Sequence, residues 1–319
     1  MKISGFTMGK NALKLYYPMR HSIESILPLV DEFIVVLGDS DEDDRTREEV
    51  EAIGNPKIRI VDTIWDIEKF PRGMEHAHQT DLAKKWCTGD WLFYLQSDEV
   101  VHEKDLDTIR KRCRELVFDK EVEGLLFRYR HYWGDYEHLQ DSHCWYRKEI
   151  RIIRNLPEIH SWESAQSFRR IPNFAGLNYR QQQGTYKLKV AEVDAEIFHY
   201  GWVRPPTVMQ NKIKAFSVNH RGRKRVEELE ASHHFDQVFD YGNLSKLTRY
   251  KGTHPEVMGP WIEGFYWKGQ LRFSGPSTSQ NPVRSKHDLF KYRTISWIEK
   301  NLLGGRRLGE FKNYILRKK

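Results

Sequence analysis

Gly89-Asp90-Trp91-Leu92-Phe93-Tyr94-Leu95-Gln96-Ser97-Asp98-Glu99-Val100 decides the reading of this chain: a short apolar run passes directly into an acidic pair. A strand buried in a sheet fixes its backbone to the last residue. Carboxylates placed just after it therefore stand at a defined point on the sheet rim. In open α/β sheets, ligands bind outside the carboxyl ends of the strands. Two hard oxygen ligands there suit Mg²⁺ or Mn²⁺ bridging to a phosphate. A plain polar turn after a core strand reads the same way locally, so the flanking segments must decide.

Upstream, strand and helix signals alternate. Ile3 to Met8 reads as a first strand, Ile23, Ile26, Leu27 and Val30 follow helical spacing, and Phe33 to Leu37 is a β-branched run typical of a buried strand. An acidic loop from Asp39 to Asp44 and a polar helix lead to a third strand near Ile58 to Val61. Met74, His78, Leu82 and Trp86 recur every fourth residue and predict a helix before the fourth strand, Leu92 to Leu95. Leu106, Ile109, Cys113 and Leu116 predict another amphipathic helix. This alternation predicts an α/β fold with a largely parallel sheet.

Downstream the pattern is less regular. Phe127 to Trp133 alternates aromatic residues with Arg128 and Arg130, as in a strand with two unlike faces. Glu149 to Arg154 predicts another strand, and Ile197-Phe198-His199-Tyr200-Gly201-Trp202 a later one. Pro205-Pro206 then opens a helix to about Val218, and from Arg221 the pattern weakens into charged and loop-like segments. There is no internal repeat and no low-complexity tract.

Composition limits the function classes. In 319 residues, 39% are hydrophobic and 30% charged, enough for a substantial core and too apolar for wholesale disorder. No apolar run approaches a membrane span. Met1 to Phe6 lacks the pattern of a signal peptide. The three cysteines form no CxxC pair, which fits a reducing cytoplasm better than a disulfide scaffold or zinc site. A net charge of +7 with abundant aromatics is compatible with nucleic-acid binding, so that class has to be weighed. The bases concentrate late, in Arg221 to Arg225 and from Arg306 to Lys319, which suits phosphate-bearing ligands or an anionic membrane at least as well.

Five segments taken in order carry a resemblance: Ser4-Gly5-Phe6-Thr7, Val36-Leu37-Gly38-Asp39-Ser40, Gly89-Asp90-Trp91 with Gln96-Ser97-Asp98-Glu99, Trp145 to Arg151, and His199-Tyr200-Gly201-Trp202. Over roughly residues 1 to 220 the chain resembles bacterial GT-A glycosyltransferases of the family 2 type. The resemblance implies a Rossmann-like, mostly parallel sheet flanked by helices. It implies a nucleotide-sugar half over about 1–117 and an acceptor half over about 118–220, followed by a less regular, basic C-terminal extension over 221–319.

The same resemblance implies the site. Gln96-Ser97-Asp98 stands where the family has Asp-x-Asp, with Gln in place of the first carboxylate, so Asp98 becomes the metal ligand and Glu99 a weaker candidate. Gln96 keeps a hydrogen-bonding role toward the nucleotide. His199 takes the place of the late histidine that completes the metal site, and neutral imidazole suits Mn²⁺. Thr7 and Asp39 fall where the family meets the base and ribose; a strand terminus and a solvated acidic turn are their plain alternatives. Arg147 and Arg151 share a strand face and could grip a diphosphate, or simply pair with Glu149 or Asp141. Glu163 is the candidate base, with Glu158 and Asp135 as rivals, although the family places its acid at the position of Ser164. Trp133, Trp145 and Trp162 are candidate acceptor platforms or core residues.

The expected activity is transfer of a sugar, with inversion, from a UDP- or GDP-sugar to a hydroxyl of a glycan or lipid-linked acceptor. Mn²⁺ or Mg²⁺ assists. A nucleotidyltransferase would want a glycine-rich basic loop after the first strand, and Met8-Gly9-Lys10 is a thin version of one. A nucleic-acid binder has only the basic tail in its favour. The tail from Leu302 to Tyr314 mixes apolar and basic residues, as for peripheral contact with an anionic inner membrane, but its glycines favour a segment packed on the domain.

Overall fold

The computed structural model describes residues 1–233, 235, 238–275, 289–309 and 312–317. Its first half is built as the alternation demands. In chain order come β1 (Ile3–Gly9), α1 (Met19–Ile26), β2 (Glu32–Leu37), α2 (Thr46–Glu51), β3 (Ile58–Asp62), α3 (Met74–Lys85) and β4 (Trp91–Tyr94). The strands lie in the order β3-β2-β1-β4, all parallel, with Phe6 opposite Ile34 on one side and Tyr94 on the other. Both faces are covered, which is why β2 and β4 read as unbroken apolar runs. Phe33, Val35, Leu37, Trp91 and Phe93 pack with Ile23 and Ile26 of α1; Ile34, Val36, Leu92 and Tyr94 face the other way, toward Ala83 of α3.

The expected stripe on α3 is not the buried one. Met74 and Ala77 point inward with the polar Glu75, Gln79, Thr80 and Asp81, whereas Trp86, just past the helix, is 43% exposed under the Arg59 guanidinium. A repeat of four slips about 40° per step against 3.6 residues per turn, so Trp86 falls about 120° away from Met74. Two of the buried polar pairs are made locally. Gln79 donates to Glu75 at 2.6 Å, and Asp81 accepts from the Ser161 N–H at 2.8 Å.

After β4 the chain turns into β5 (Glu99–Val101) and α4 (Leu106–Leu116), whose Ile109, Cys113 and Leu116 are buried as expected. Next come β6 (Gly124–Trp133), β7 (His138–Leu139), β8 (Lys148–Arg154), β9 (Ile159–Trp162), β10 (Ser167–Arg170) and β11 (Tyr186–Trp202). The sheet continues from β4 as β8-β6-β11-β10-β9. This half is mixed: β8 runs antiparallel to β4 and β6, while β6 and β11 are parallel. β11 also takes β5 antiparallel, with His199 opposite Glu99. That pairing brings two distant sequence segments to one point on the rim.

The remaining elements are α5 (Pro206–Arg221), α6 (Arg223–Ala231), β12 (Thr248–Arg249), α7 (Gly259–Glu263), α8 (Phe290–Asn301) and β13 (Tyr314–Leu316). The stretch after residue 221 contributes to a shared core. Tyr241, Leu244, Met258, Trp267 and Leu271 pack with Tyr132, Trp133, Phe198 and Tyr200 of β6 and β11. The indole N–H groups of Trp133 and Trp267 donate to the carbonyls of Tyr241 and Gly134. In the tail, Arg307 pairs with buried Glu299 at 2.8 Å and β13 joins β11 in parallel. Glu310, Phe311, Lys318 and Lys319 lie outside the described residues.

Candidate functional site

The turn after β4 is held from three sides. The Gln96 N–H donates to Glu99 Oε2 at 3.1 Å, Ser97 Oγ donates to the Met8 carbonyl at 3.1 Å, and the Asp98 carbonyl accepts the Tyr200 N–H at 2.8 Å. Glu99 is completely buried and fully used. It accepts from Arg151 Nε and Nη2, each at 2.7 Å, and from the Tyr129 hydroxyl at 2.8 Å. This corrects two expectations. Glu99 is the anchor of the turn rather than a spare metal ligand, and Arg151 is its buried counter-ion rather than a diphosphate clamp. The guanidinium also donates to the carbonyls of Ile150 and Gln166, which leaves it no reach toward the cleft.

The anchored turn presents Asp98 beside His199. Asp98 Oδ2 and His199 Nε2 are 3.7 Å apart, with both residues buried to within a tenth of full exposure. Burial pushes the His199 pKa down to about 3, so the ring is neutral at working pH and its nitrogen is free to act as a ligand. Gly201 leaves the adjoining space open: a Cβ there would lie 2.6 Å from His199 Nε2 and closer still to Asp98 Oδ2. Among the described residues there is no group of three or more His, Cys, Asp or Glu able to hold a metal. Two protein ligands with room beside them match the habit of Mg²⁺ and related ions of taking one or two side chains and completing the shell with phosphate oxygens and water.

These groups open into a cleft of about 730 Å³. Toward the β1 and β2 loops it is lined by Lys10, Asp39, Asp41 and Trp65, at its centre by Gln96, Asp98 and His199, and toward β11 and α5 by Trp145, Tyr146, Trp202 and Lys212. Asp39 is aimed by the Trp65 N–H at 2.9 Å and Lys10 Nζ at 2.8 Å. Burial pushes its carboxyl up, but these two partners outweigh that and hold it below the usual range. Gln96 is tied by its amide to the Ala165 carbonyl at 3.0 Å.

Three further expected residues do not line the cleft. Thr7 is fully buried within β1, which runs on two residues further, so Met8 and Gly9 reach the rim instead. Arg147 donates to the Gly305 carbonyl at 2.6 Å and faces the C-terminal segment. Glu163 has left-handed backbone (φ 57°), and its carboxylate turns toward Arg180 at 3.9 Å, while Ser164 lines the cleft. Ser164 thus presents a hydroxyl to the cleft, which can hydrogen-bond a ligand but is no base near neutral pH. Of the rivals, Asp135 caps the turn before β7 and holds His138 at 2.9 Å, and Glu158 lies 3.9 Å from Arg170. Trp133 and Trp162 are core residues, both 5% exposed; Trp145 borders the cleft.

Lys212 was not legible in the sequence. It projects from α5 under the rim, donates to the Gly201 carbonyl at 2.5 Å, and lies over the rings of Trp202 and Tyr17 at 4.9 and 5.5 Å. Burial, with the Arg204 charge adding, pulls its pKa down to about 7. A helix lysine reads as solvent-facing unless the crowded aromatic strand end beneath it is known.

No protein-family model matches the chain, and no curated protein matches it. It is similar to several solved structures. Glucosyl-3-phosphoglycerate synthase from Mycobacterium tuberculosis, in complex with Mn²⁺, UDP and phosphoglyceric acid, is 22% identical over 40% of this chain and 43% of that one, at a TM-score of 0.28. S. aureus TarS (residues 1–349) is 16% identical over 69% and 65%, at 0.36. The mannosyltransferase PcManGT from Pyrobaculum calidifontis, in complex with GDP-Man and Mn²⁺, is 19% identical over 39% and 34%, at 0.30. The chain thus spans less than half the length of the synthase, and at these scores the overlaps are partial.

Proposed function

We propose that this chain is a metal-dependent glycosyltransferase of the GT-A, family 2 type. It moves a sugar from a UDP- or GDP-sugar to a hydroxyl of a glycan or lipid-linked acceptor, with inversion. The observation that carries the reading is the buried Asp98–His199 pair, 3.7 Å apart where the turn after β4 meets the last residues of β11, facing the cleft beside a glycine. Mn²⁺ or Mg²⁺ held there supplies charge neutralisation of the departing diphosphate.

The chain's own residues account for the remaining tasks. Asp39, fixed by Lys10 and the Trp65 N–H, is an acceptor for ribose hydroxyls. Lys212, lining the same cleft, brings a cation to the diphosphate when protonated. Trp145, at the border of the cleft, offers an aromatic surface to the apolar side of a sugar. Proton removal from the acceptor is assigned to no residue, because Glu163 faces Arg180. Cytoplasmic placement with peripheral contact to an anionic inner membrane belongs to the same proposal. It is supported by exposed Phe290, Trp297 and Leu302 beside Lys291, Arg293, Lys300 and Arg306. No helix among the described residues is long and apolar enough to cross a membrane.

The test is thermal stabilisation by UDP-, GDP-, CMP- and dTDP-sugars, with Mn²⁺ or with EDTA, in wild type and Asp98→Ala. Stabilisation by one nucleotide class that needs Mn²⁺ and vanishes in Asp98→Ala is expected. Equal responses in the variant, or none in either protein, would overturn the site.

A further inference from the structure

His131, which the sequence did not single out, lies behind His199. It is 3% exposed and sits opposite His199 in the β6–β11 register. Its Nδ1 is 3.0 Å from His199 Nδ1, and its Nε2 is 2.8 Å from the Tyr146 carbonyl oxygen. A carbonyl only accepts, so the His131 Nε2 carries a proton. Two ring nitrogens 3.0 Å apart share a single hydrogen between them. No carboxylate is within hydrogen-bonding distance of His131 among the described residues, and a buried ring without such a partner stays neutral. Its Nδ1 is therefore bare, and the shared hydrogen belongs to His199 Nδ1.

From this geometry we infer that His131 is a positioning residue: through the chain Tyr146 carbonyl–His131–His199 it holds His199 as the Nδ1–H tautomer, with a bare Nε2 aimed at Asp98. The inference deepens the metal-site reading and rests on it for its purpose, though not for its geometry. A lone pair facing a carboxylate oxygen 3.7 Å away is an arrangement that a cation between them relieves. Metal-binding histidines are commonly fixed in this way by a partner on the other ring nitrogen. What is unusual here is that the partner is a second histidine, itself oriented by a main-chain carbonyl. The two histidines face each other across the β6–β11 pairing, so their alignment is set by sheet register, while the Tyr146 carbonyl comes from the segment that leads into β8.

The experiment uses the full chain, labelled with ¹⁵N-histidine, in EDTA, with His199→Ala to assign the resonances. Long-range ¹H–¹⁵N spectra of wild type should show His199 protonated at Nδ1 alone. His131→Asn, whose amide oxygen can replace the accepting Nδ1, should keep that state. His131→Phe should give mixed tautomers and bind Mn²⁺, titrated in the presence of UDP, about 10–100-fold more weakly than wild type, with His131→Asn much closer to wild type. A role confined to packing would make the two variants alike in both readouts. A His199 proton on Nε2 in wild type overturns the inference without any variant, and so does wild-type Mn²⁺ affinity in a folded His131→Phe. A wild type with the Nδ1–H tautomer that binds no Mn²⁺ upholds the positioning role and removes the metal reading instead.

Discussion

Lys212 has a pKa near 7 when buried against Trp202 and Tyr17, against 10.5 for an ordinary lysine. Between those values the unfolded chain binds the extra proton, so this group's contribution to stability is poorest below 7 and improves as pH rises toward 10.5. Ligand binding runs the other way, because an anion favours the ammonium form. The groups acting on it are Arg204, which disfavours the charge, and Asp98, which favours it. We predict that UDP affinity, measured by titration, falls as pH rises above about 7, by at most about tenfold per unit, and that Lys212→Met flattens this profile. Gly201→Ala makes a second prediction. Its backbone lies outside the left-handed region, so the substitution should fold, yet the added methyl invades the space between Asp98 and His199. Mn²⁺-dependent nucleotide binding should be lost, and displacing the buried Asp98 and His199 side chains should cost about 1–3 kcal/mol of stability. Asp98 was legible because it follows the apolar β4 closely, and His199 because it sits in the apolar last stretch of β11. Ser164 and Glu163 differ by one position, and only the left-handed turn settles which of them meets the cleft.

At the scale of elements, the buried Glu99–Arg151 pair ties β5 to β8 beneath the site. Removing one partner strands the other charge in the interior, which costs about 3–5 kcal/mol. Arg151→Met should therefore lower urea-unfolding stability by about that amount, and Glu99→Gln with Arg151→Met should recover part of it. An Arg151→Met stability equal to wild type would show that Glu99 finds another partner. The apolar runs of β2 and β4 were readable because both faces are covered. β11 was recognised only over its last residues, although Tyr186 to Ala195 alternates charged and apolar side chains as a half-exposed strand should. Its lysines and acids hid a spine strand, and with it the register that places His199 opposite Glu99. For α3 the apolar spacing misled, because the helix buries Gln79, Thr80 and Asp81, each held by hydrogen bonds.

For the whole molecule, the aromatic core shared with β6 and β11 makes residues 239–271 part of the support for the site. Tyr132, Phe198 and Tyr200, on the strands that carry His131 and His199, are covered by Tyr241, Met258 and Trp267. Ending the chain at Arg221 would leave these rings in water. We predict that residues 1–221 alone lose cooperative unfolding in urea and the Mn²⁺-dependent response to nucleotide together. Retention of both would mark residues 1–221 as self-sufficient. The sequence announced this region only as charged and irregular, since its apolar residues are aromatics spaced through turns and carry no helix or strand period. The same cluster has an optical consequence. Trp202 lies 4.9 Å from Trp133 in a stacked pair and 5.8 Å from Trp145 at nearly a right angle. Indoles that close share their electronic excitation, so the near-ultraviolet circular dichroism of the chain should carry a strong signed band from this trio. With two of the three rings bordering the cleft, that band would shift as the cleft fills, and the protein would report its own occupancy without a label.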